Sequence, residues 1–319
     1  MTIKLGVVMD PIATITIKKD TTFAMLLAAQ SRGWELHYFE QADLYARADL
    51  AFGRSRLLSV WDDSRGWFAF HGERDLPLAE LNVILMRKDP PFDMEYIYTT
   101  YLLELAEMAG VLVVNQPRGL RDANEKFFAL HFPQCCPPTL VSREPAYIRR
   151  FLDEQGDLVV KPLDGMGGAS VFRLRRDDPN RNVILETLTA RGRRLTMAQR
   201  YIPEVSAGDQ RILLIDGEPV PYALARIPQA GETRANLAAG GRGEGVPLGE
   251  RERWICAQVA PRLRAMGLLF VGLDVIGGYL TEINVTSPTC ARELDAQFGL
   301  DIGGELMTAI ERRLANRFG

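Results

Sequence analysis

The chain has little with which to build a soft metal site or a disulfide frame, only four cysteines and three histidines in 319 residues. Cys135, Cys136, Cys256 and Cys290 fall at no paired metal-ligand spacing, and the adjacent Cys135 and Cys136 read as packing residues. An excess of charge is missing too. A formal net charge of -3 makes no field that would gather nucleic acid or a membrane surface, so neither partner is expected and any polyanion must be held locally. No apolar run approaches membrane-spanning length. Met1-Thr-Ile-Lys-Leu-Gly-Val-Val-Met9 lacks the apolar core and cleavage site of a signal peptide, which predicts a cytoplasmic location and reduced thiols. Two nucleotide signatures are absent: no G-x-G-x-x-G follows the first strand, and no Gly-Lys-Ser/Thr completes a Walker loop.

What is present is ordinary for a globular protein, 47% hydrophobic and 25% charged residues. The length suits about two domains. Ile3 to Met9 reads as a strand, the stretch from Asp20 or Thr21 to Gly33 as a capped helix, and Trp34 to Phe39 as a second strand. This βαβ unit implies a parallel sheet. Residues 49 to 73 read as a hairpin or meander, and Val83 to Met86 as a buried strand running into Arg87-Lys88-Asp89-Pro90-Pro91. That charged loop is either a ligand site at the carboxyl end of a sheet or a solvated turn stiffened by proline. A helix over 95–108 and a strand over 111–114 close a first domain near residue 120, and a helix over 121–131 then carries Lys126. Further on, Leu158 to Phe172 reads as strand, glycine-rich turn and strand, and Met197 to Ile202 as a short strand. Asp216-Gly217 sets a hairpin, a helix covers 250–266, and a last helix runs from about Gly303 to Asn316.

Three stretches carry possible chemistry. Gly165-Met166-Gly167-Gly168 can wrap phosphate oxygens with backbone N–H groups, with Lys161 beside it, or can be a turn and nothing more. Residues 229–245, with Arg234 and Arg242, suit either a phosphate-covering lid or a surface loop. The third is Phe270 to Pro288, two strands joined at Gly277-Gly278. Alternation puts Glu282 and Asn284 on one face; Asp274 joins them if the loop spans Gly277 to Tyr279, because a two-residue loop sets Asp274 opposite Thr281. We expect the three-residue loop. Two carboxylates and an amide oxygen then suit Mg²⁺ or Mn²⁺ rather than zinc; the other reading is a hairpin showing polar residues to water.

In order, Lys126, Lys161 with its glycine turn, Gln199-Arg200-Tyr201-Ile202, the glycine-rich segment and Asp274, Glu282 and Asn284 resemble the ATP-grasp ligases. Within that superfamily the chain is similar to the bacterial glutathione synthetase family. The resemblance is carried by Met9-Asp-Pro-Ile12, Met86-Arg-Lys-Asp-Pro-Pro-Phe-Asp93, Lys161-Pro-Leu-Asp-Gly-Met-Gly-Gly-Ala-Ser170, Ala225-Arg-Ile-Pro-Gln229, Asn236-Leu-Ala-Ala-Gly-Gly-Arg-Gly-Glu244 and Thr281-Glu-Ile-Asn-Val-Thr-Ser-Pro-Thr-Cys290.

It implies an α/β (α+β) ATP-grasp fold: an N-terminal βαβ parallel-sheet domain over 1–120, a central subdomain over 121–202 and an antiparallel-sheet ATP-binding subdomain over 203–319. It further implies that Lys126 and Lys161 meet ATP phosphates and Gly165 to Gly168 the γ-phosphate. Gln199, Arg200, Tyr201 and Ile202 would hold adenine, and Asp209 would lie near the ribose. Arg211, Arg226 and Arg234 would surround the transferring phosphate, while Asp274, Glu282 and Asn284 would hold two Mg²⁺ or Mn²⁺ ions with ATP. Asp10, Lys18, Arg87, Lys88 and Asp89, with Ser287, Pro288 and Thr289, would meet the peptide substrate. The implied reaction joins γ-glutamylcysteine to glycine through an acyl phosphate, in a homo-oligomer, a tetramer by resemblance. Gln210 and Ala235 depart from the Lys and Gly that the resemblance leads one to expect.

Overall fold

A computed structural model of the protein describes residues 2–165, 167–229 and 242–318. Met166, Arg234 and most of the expected lid, 230–241, therefore lie outside the described residues.

The N-terminal unit begins as its βαβ pattern demands. β1 (Lys4–Val8), α1 (Thr21–Ser31) and β2 (Glu35–Phe39) place β1 and β2 parallel, with Val8 opposite Phe39. The Asp20 carboxylate accepts the Phe23 N–H at 2.6 Å and so starts α1, and Gly33 turns out of it at φ 73°. The meander is β3 (Leu44–Arg47), β4 (Leu50–Val60) and β5 (Phe68–Pro77), which extends the same sheet antiparallel from β2. β6 (Val83–Met86) follows on the other side of β1, then α2 (Met94–Met108) and β7 (Leu112–Val114). The order is β3-β4-β2-β1-β6-β7, with β5 on β4.

The helix expected over 121–131 is not there as such. Pro117 opens a short α3 (Pro117–Asp122), since proline suits a first helical position. The Asn124 side chain then accepts the N–H groups of Lys126 at 3.2 Å and Phe127 at 2.9 Å, and the chain tightens into a 3₁₀ turn at Phe127–His131.

The second sheet comprises β8 (Thr139–Ser142), β9 (Asp157–Pro162), β10 (Phe172–Arg175) and β11 (Thr196–Arg200), ordered β10-β9-β11-β8 and antiparallel. α4 (Pro145–Gln155) and α5 (Arg181–Leu188) cover it through Ile148, Leu152, Leu158, Val160 and Leu185.

The third sheet is β12 (Asp209–Ile215), β13 (Glu218–Ile227), β14 (Arg242–Pro247), β15 (Phe270–Ile276) and β16 (Tyr279–Asn284), ordered β14-β13-β12-β15-β16 and antiparallel throughout. Residues 242–245, expected within the lid loop, are thus strand: Arg242 pairs with Ile227, and glycines at 243 and 245 let the strand cross Leu224 and Phe298 closely. α6 (Glu250–Ala265) packs on this sheet, and α7 (Ala291–Phe298) and α8 (Ile302–Phe318) follow it. α8 returns to the N-terminal unit. Its Leu306 and Ile310 share a core with Leu5 and Leu26, and a Cβ at Gly303 would lie 2.8 Å from the Ala24 carbonyl oxygen. The buried Asn115 side chain ties the first sheet to the third, donating to the carbonyls of Phe270 at 2.8 Å and Val285 at 2.7 Å and accepting the Phe270 N–H at 2.9 Å. All four cysteines are buried and free, as packing residues are. No helix among the described residues is long and apolar enough to cross a membrane.

Candidate active site

The β15–β16 hairpin brings Asp274 opposite Glu282, as expected, but by another route. The turn has two residues, not three: Ile276 faces Tyr279, and Gly277 and Gly278 take positive φ, 54° and 75°. The odd residue is a bulge. The pairing jumps from Val275–Leu280 to Asp274–Glu282, leaving Thr281 as the extra residue, with its hydroxyl donating to the Asp274 carbonyl at 3.1 Å.

Each carboxylate on this hairpin meets cations from other strands. The Arg211 guanidinium forks onto Asp274 at 2.5 and 3.1 Å, and Arg226 reaches the same carboxylate at 2.9 Å. β12 lies between β13 and β15, and Arg211 sits directly opposite Asp274. Lys161 on β9 donates to Glu282 at 3.0 Å, with the Lys126 ammonium 3.8 Å from the same oxygen. Burial works to raise both acids, but the guanidinium groups hold Asp274 below the usual carboxylate range and the two ammonium groups do the same for Glu282. Asp209, 2.5 Å from Arg226, is pushed up to about 6 by burial, which the guanidinium only partly offsets.

These groups line one cavity of about 330 Å³ between the second and third sheets. Lys126 also donates to the Gly165 carbonyl, so it does sit over the glycine turn, while Asn124 holds the Leu163 carbonyl at 3.2 Å. Gly165, Gly167 and Gly168 form that wall, the last two at positive φ, and Gln199, Arg200, Tyr201 and Ile202 form another. Asn284 is on the wall beyond Glu282, and Asp89, Ser287, Pro288 and Thr289 are at the side facing the first sheet. Among the described residues no three His, Cys, Asp or Glu side chains form a metal-holding group.

The family patterns described as prokaryotic glutathione synthetase, N-terminal domain, and prokaryotic glutathione synthetase, ATP-grasp domain, match residues 3–121 and 125–299. The chain belongs to the prokaryotic glutathione synthetase family. It is an enzyme, a ligase of the ATP-grasp class. It is 64% identical to a glutathione synthetase of Pseudomonas syringae pv. tomato over the whole of both chains. It is 60% identical to one of Escherichia coli, covering 98% of this chain and 99% of that one. Among solved structures, a D-cycloserine synthetase aligns with TM-score 0.68 at 18% identity, covering 98% of this chain and 99% of that one. A D-alanyl-alanine synthetase A from Vibrio cholerae aligns with TM-score 0.59 at 12% identity, with 98% and 99% covered. At those identities the likeness speaks for the ATP-grasp fold alone.

Four residues expected at the peptide substrate do not line the cavity. Lys88 pairs with Asp10 at 2.8 Å, and Asp10 accepts the Asp89 N–H at 2.9 Å, so both buttress Asp89, which in turn accepts the Ser287 hydroxyl. Arg87 is buried and donates to Thr22 at 3.0 Å and to the Pro288 carbonyl at 2.9 Å, shaping the loop from behind. Lys18 is exposed and off the cavity wall. Two charged wall residues had no role from the sequence. Arg173 lies 3.7 Å over the Tyr201 ring while forking onto Asp157, and strand alternation around Phe172 could have pointed to it. Glu125 is the other; only its place beside Lys126 hinted at it.

Proposed function

We propose that this chain joins γ-glutamylcysteine to glycine at the expense of ATP, giving ADP and phosphate. One observation supports this most directly: a single cavity in which Lys126 and Lys161 meet at Glu282 while Arg211 and Arg226 meet at Asp274. Four cations and two carboxylates around one cavity suit a triphosphate held with divalent metal. Asp274, Glu282 and Asn284 offer hard oxygen donors on one face, and their small number fits Mg²⁺ or Mn²⁺ ions that complete their shells with phosphate and water. When bound, two such ions would neutralise charge on the phosphates.

The chain's own groups then have distinct tasks. Lys126 and Lys161 take the ATP phosphates, and Gly165, Met166, Gly167 and Gly168 the γ-phosphate. Gln199 to Ile202 hold adenine, with Asp209 toward the ribose. The carboxylate of γ-glutamylcysteine attacks the γ-phosphorus, the bond to ADP breaks, and an acyl phosphate results. Arg211, Arg226 and Arg234 stabilise the charge that develops there. The glycine amine, formed by loss of a proton to solvent, next attacks the acyl carbon; phosphate leaves with the electron pair of the broken C–O bond, and a second proton leaves the nitrogen to give the amide. Asp89 and Ser287 to Thr289 orient the peptide, supported by Asp10, Arg87 and Lys88 and with Lys18 at its outer end. Loop 229–245 excludes water from the acyl phosphate. The division into 1–120, 121–202 and 203–319, a homotetrameric state and a cytoplasmic location complete the reading; sedimentation velocity tests the tetramer.

The deciding assay is ADP release from purified enzyme. Turnover should require γ-glutamylcysteine and glycine together. Equal turnover with pairs of D-alanine, or ADP release indifferent to either substrate, would refute the reading.

A further inference from the structure

Among the described residues, every buried or half-buried carboxylate on the cavity wall but one has a cation at ion-pair distance: Asp274 has Arg211 and Arg226, Glu282 has Lys161 and Lys126, and Asp209 has Arg226. Glu125 differs. Among the described residues no Lys, Arg or His reaches it, and the Thr286 hydroxyl, at 2.7 Å, is the one side chain that donates to it. Its backbone is fixed, since its carbonyl accepts the Ile283 N–H at 2.8 Å. The side chain is half-buried and forms part of the cavity wall. Burial raises its pKa despite the Thr286 bond and the neighbouring Lys126 charge. Nearby, the Tyr96 hydroxyl is buried without a hydrogen-bond partner, and burial followed by the Glu125 charge pushes its pKa up.

A carboxylate taken out of water without a counter-charge is costly, and the cost falls when a ligand brings the missing cation. The wall also has a polarity. Lys126, Lys161, Arg211 and Arg226 suit anions, whereas the Glu125 carboxylate is held by Thr286, next in the chain to Ser287, where the peptide is proposed to be oriented. Of the proposed substrates, glycine carries its charge of opposite sign on the atom that must reach that carboxylate.

We infer that Glu125 is the anchor of the acceptor subsite, binding the ammonium group of the incoming amino acid and setting its nitrogen against the activated carboxyl, which it attacks once one proton of the ammonium has passed to solvent. This rests on the reaction proposed above. The subsite selects a primary ammonium and disfavours uncharged or anionic acceptors.

The test replaces Glu125 in the full-length enzyme. Glu125→Gln keeps an acceptor for the Thr286 hydroxyl and removes only the charge. ADP release is measured with ATP, γ-glutamylcysteine and either glycine or hydroxylamine, a small nucleophile that is uncharged at neutral pH. The KM for glycine should rise about tenfold or more, the loss of one charge-assisted contact, while the KM values for ATP and γ-glutamylcysteine stay within about twofold. Hydroxamate formation should fall by no more than about twofold. Glu125→Asp should recover part of the glycine affinity, and if the Gln variant does not fold, the Asp variant decides by the same split among KM values. An unchanged glycine KM, or all three KM values rising together with a lower melting temperature, overturns the assignment and marks Glu125 as a support for Thr286. Wild-type enzyme that forms no hydroxamate from γ-glutamylcysteine would instead overturn the reaction, and the subsite with it.

Discussion

Removing the charge of Glu282 tests the electrostatic design of the cavity without any ligand. The Lys161 ammonium, 7% exposed, donates to Glu282 at 3.0 Å, and that of Lys126, 5% exposed, lies 3.8 Å away. Glu282→Gln leaves both ammonium groups buried against a neutral amide. Breaking a buried pair costs about 3 to 5 kcal/mol. Glu282 is 22% exposed and Lys126 keeps the Gly165 carbonyl, so the cost here should fall to about 2 to 3 kcal/mol. At about 2 °C per kcal/mol for a chain of this size, the melting temperature should drop by about 5 °C. Circular dichroism at 25 °C should be unchanged, because Glu282 lies at the cavity wall and not in the apolar core. A double-mutant cycle isolates the pair: with Lys161→Met already in place, Glu282→Gln should cost about 1 to 2 kcal/mol less. Additivity of the two substitutions within about 0.3 kcal/mol would refute the claim that the lysine and the carboxylate stabilise one another. The same variant should also lose most of its turnover; full activity would remove Glu282 from the chemistry.

The pH dependence of stability follows from the same pairs. Asp274 and Glu282 are held below their unfolded-state values, so their contribution is present above about pH 4.5 and is lost as pH falls through their lower folded values. Urea denaturation midpoints should therefore fall below about pH 4.5, less steeply in the Asp274→Asn variant; identical profiles would refute the assignment. Asn115→Ala removes three buried hydrogen bonds between the first and third sheets and should cost about 2 to 4 kcal/mol in a denaturant titration. A cost under about 0.5 kcal/mol would mean that the two sheets are held together without it.

The elements that could be read from the sequence are those whose signals are local. Asp20 and Gly33 bracket α1, the run Val83–Met86 is buried on both faces, and Asp216-Gly217 turns β12 into β13. The hairpin register was only half legible for a definite reason. A turn of two residues and a turn of three are equally compatible with Gly277-Gly278-Tyr279, and alternation assigns faces only after the turn and any bulge are known. Thr281 absorbs the extra residue while Arg211 and Arg226 hold the Asp274 carboxylate, and those partners lie 63 and 48 positions away in the chain. The helix expected over 121–131 failed through competition: one short side chain, Asn124, takes two N–H groups that the helix would have used. Arg87 turns to the Pro288 carbonyl and Lys88 to Asp10 rather than into the cavity, which the sequence could not give, because composition marks a charged loop and says nothing of which charges turn inward.

The pairing also bears on how ligand binding and closure of the fold are connected. Lys161 belongs to the second sheet, Glu282 and Asp274 to the third, and Arg87 ties the first sheet to the Pro288 loop that follows β16. The lysine pairs at Glu282 are thus clasps between structural units, whereas the arginine pairs at Asp274 and Asp209 tie strands within the third sheet. On the proposed reading, Lys126 and Lys161 would turn from Glu282 to phosphate oxygens when a triphosphate binds, and Asp274 and Glu282 would be the groups to hold divalent metal. Glu125 stands outside this set: among the described residues no cation pairs with it, and on the inference above a ligand ammonium does. Since nucleotide binding trades one set of sheltered charge pairs for another and glycine gains a single sheltered contact, both affinities should fall only modestly with salt, and a steep loss for the nucleotide would refute the exchange.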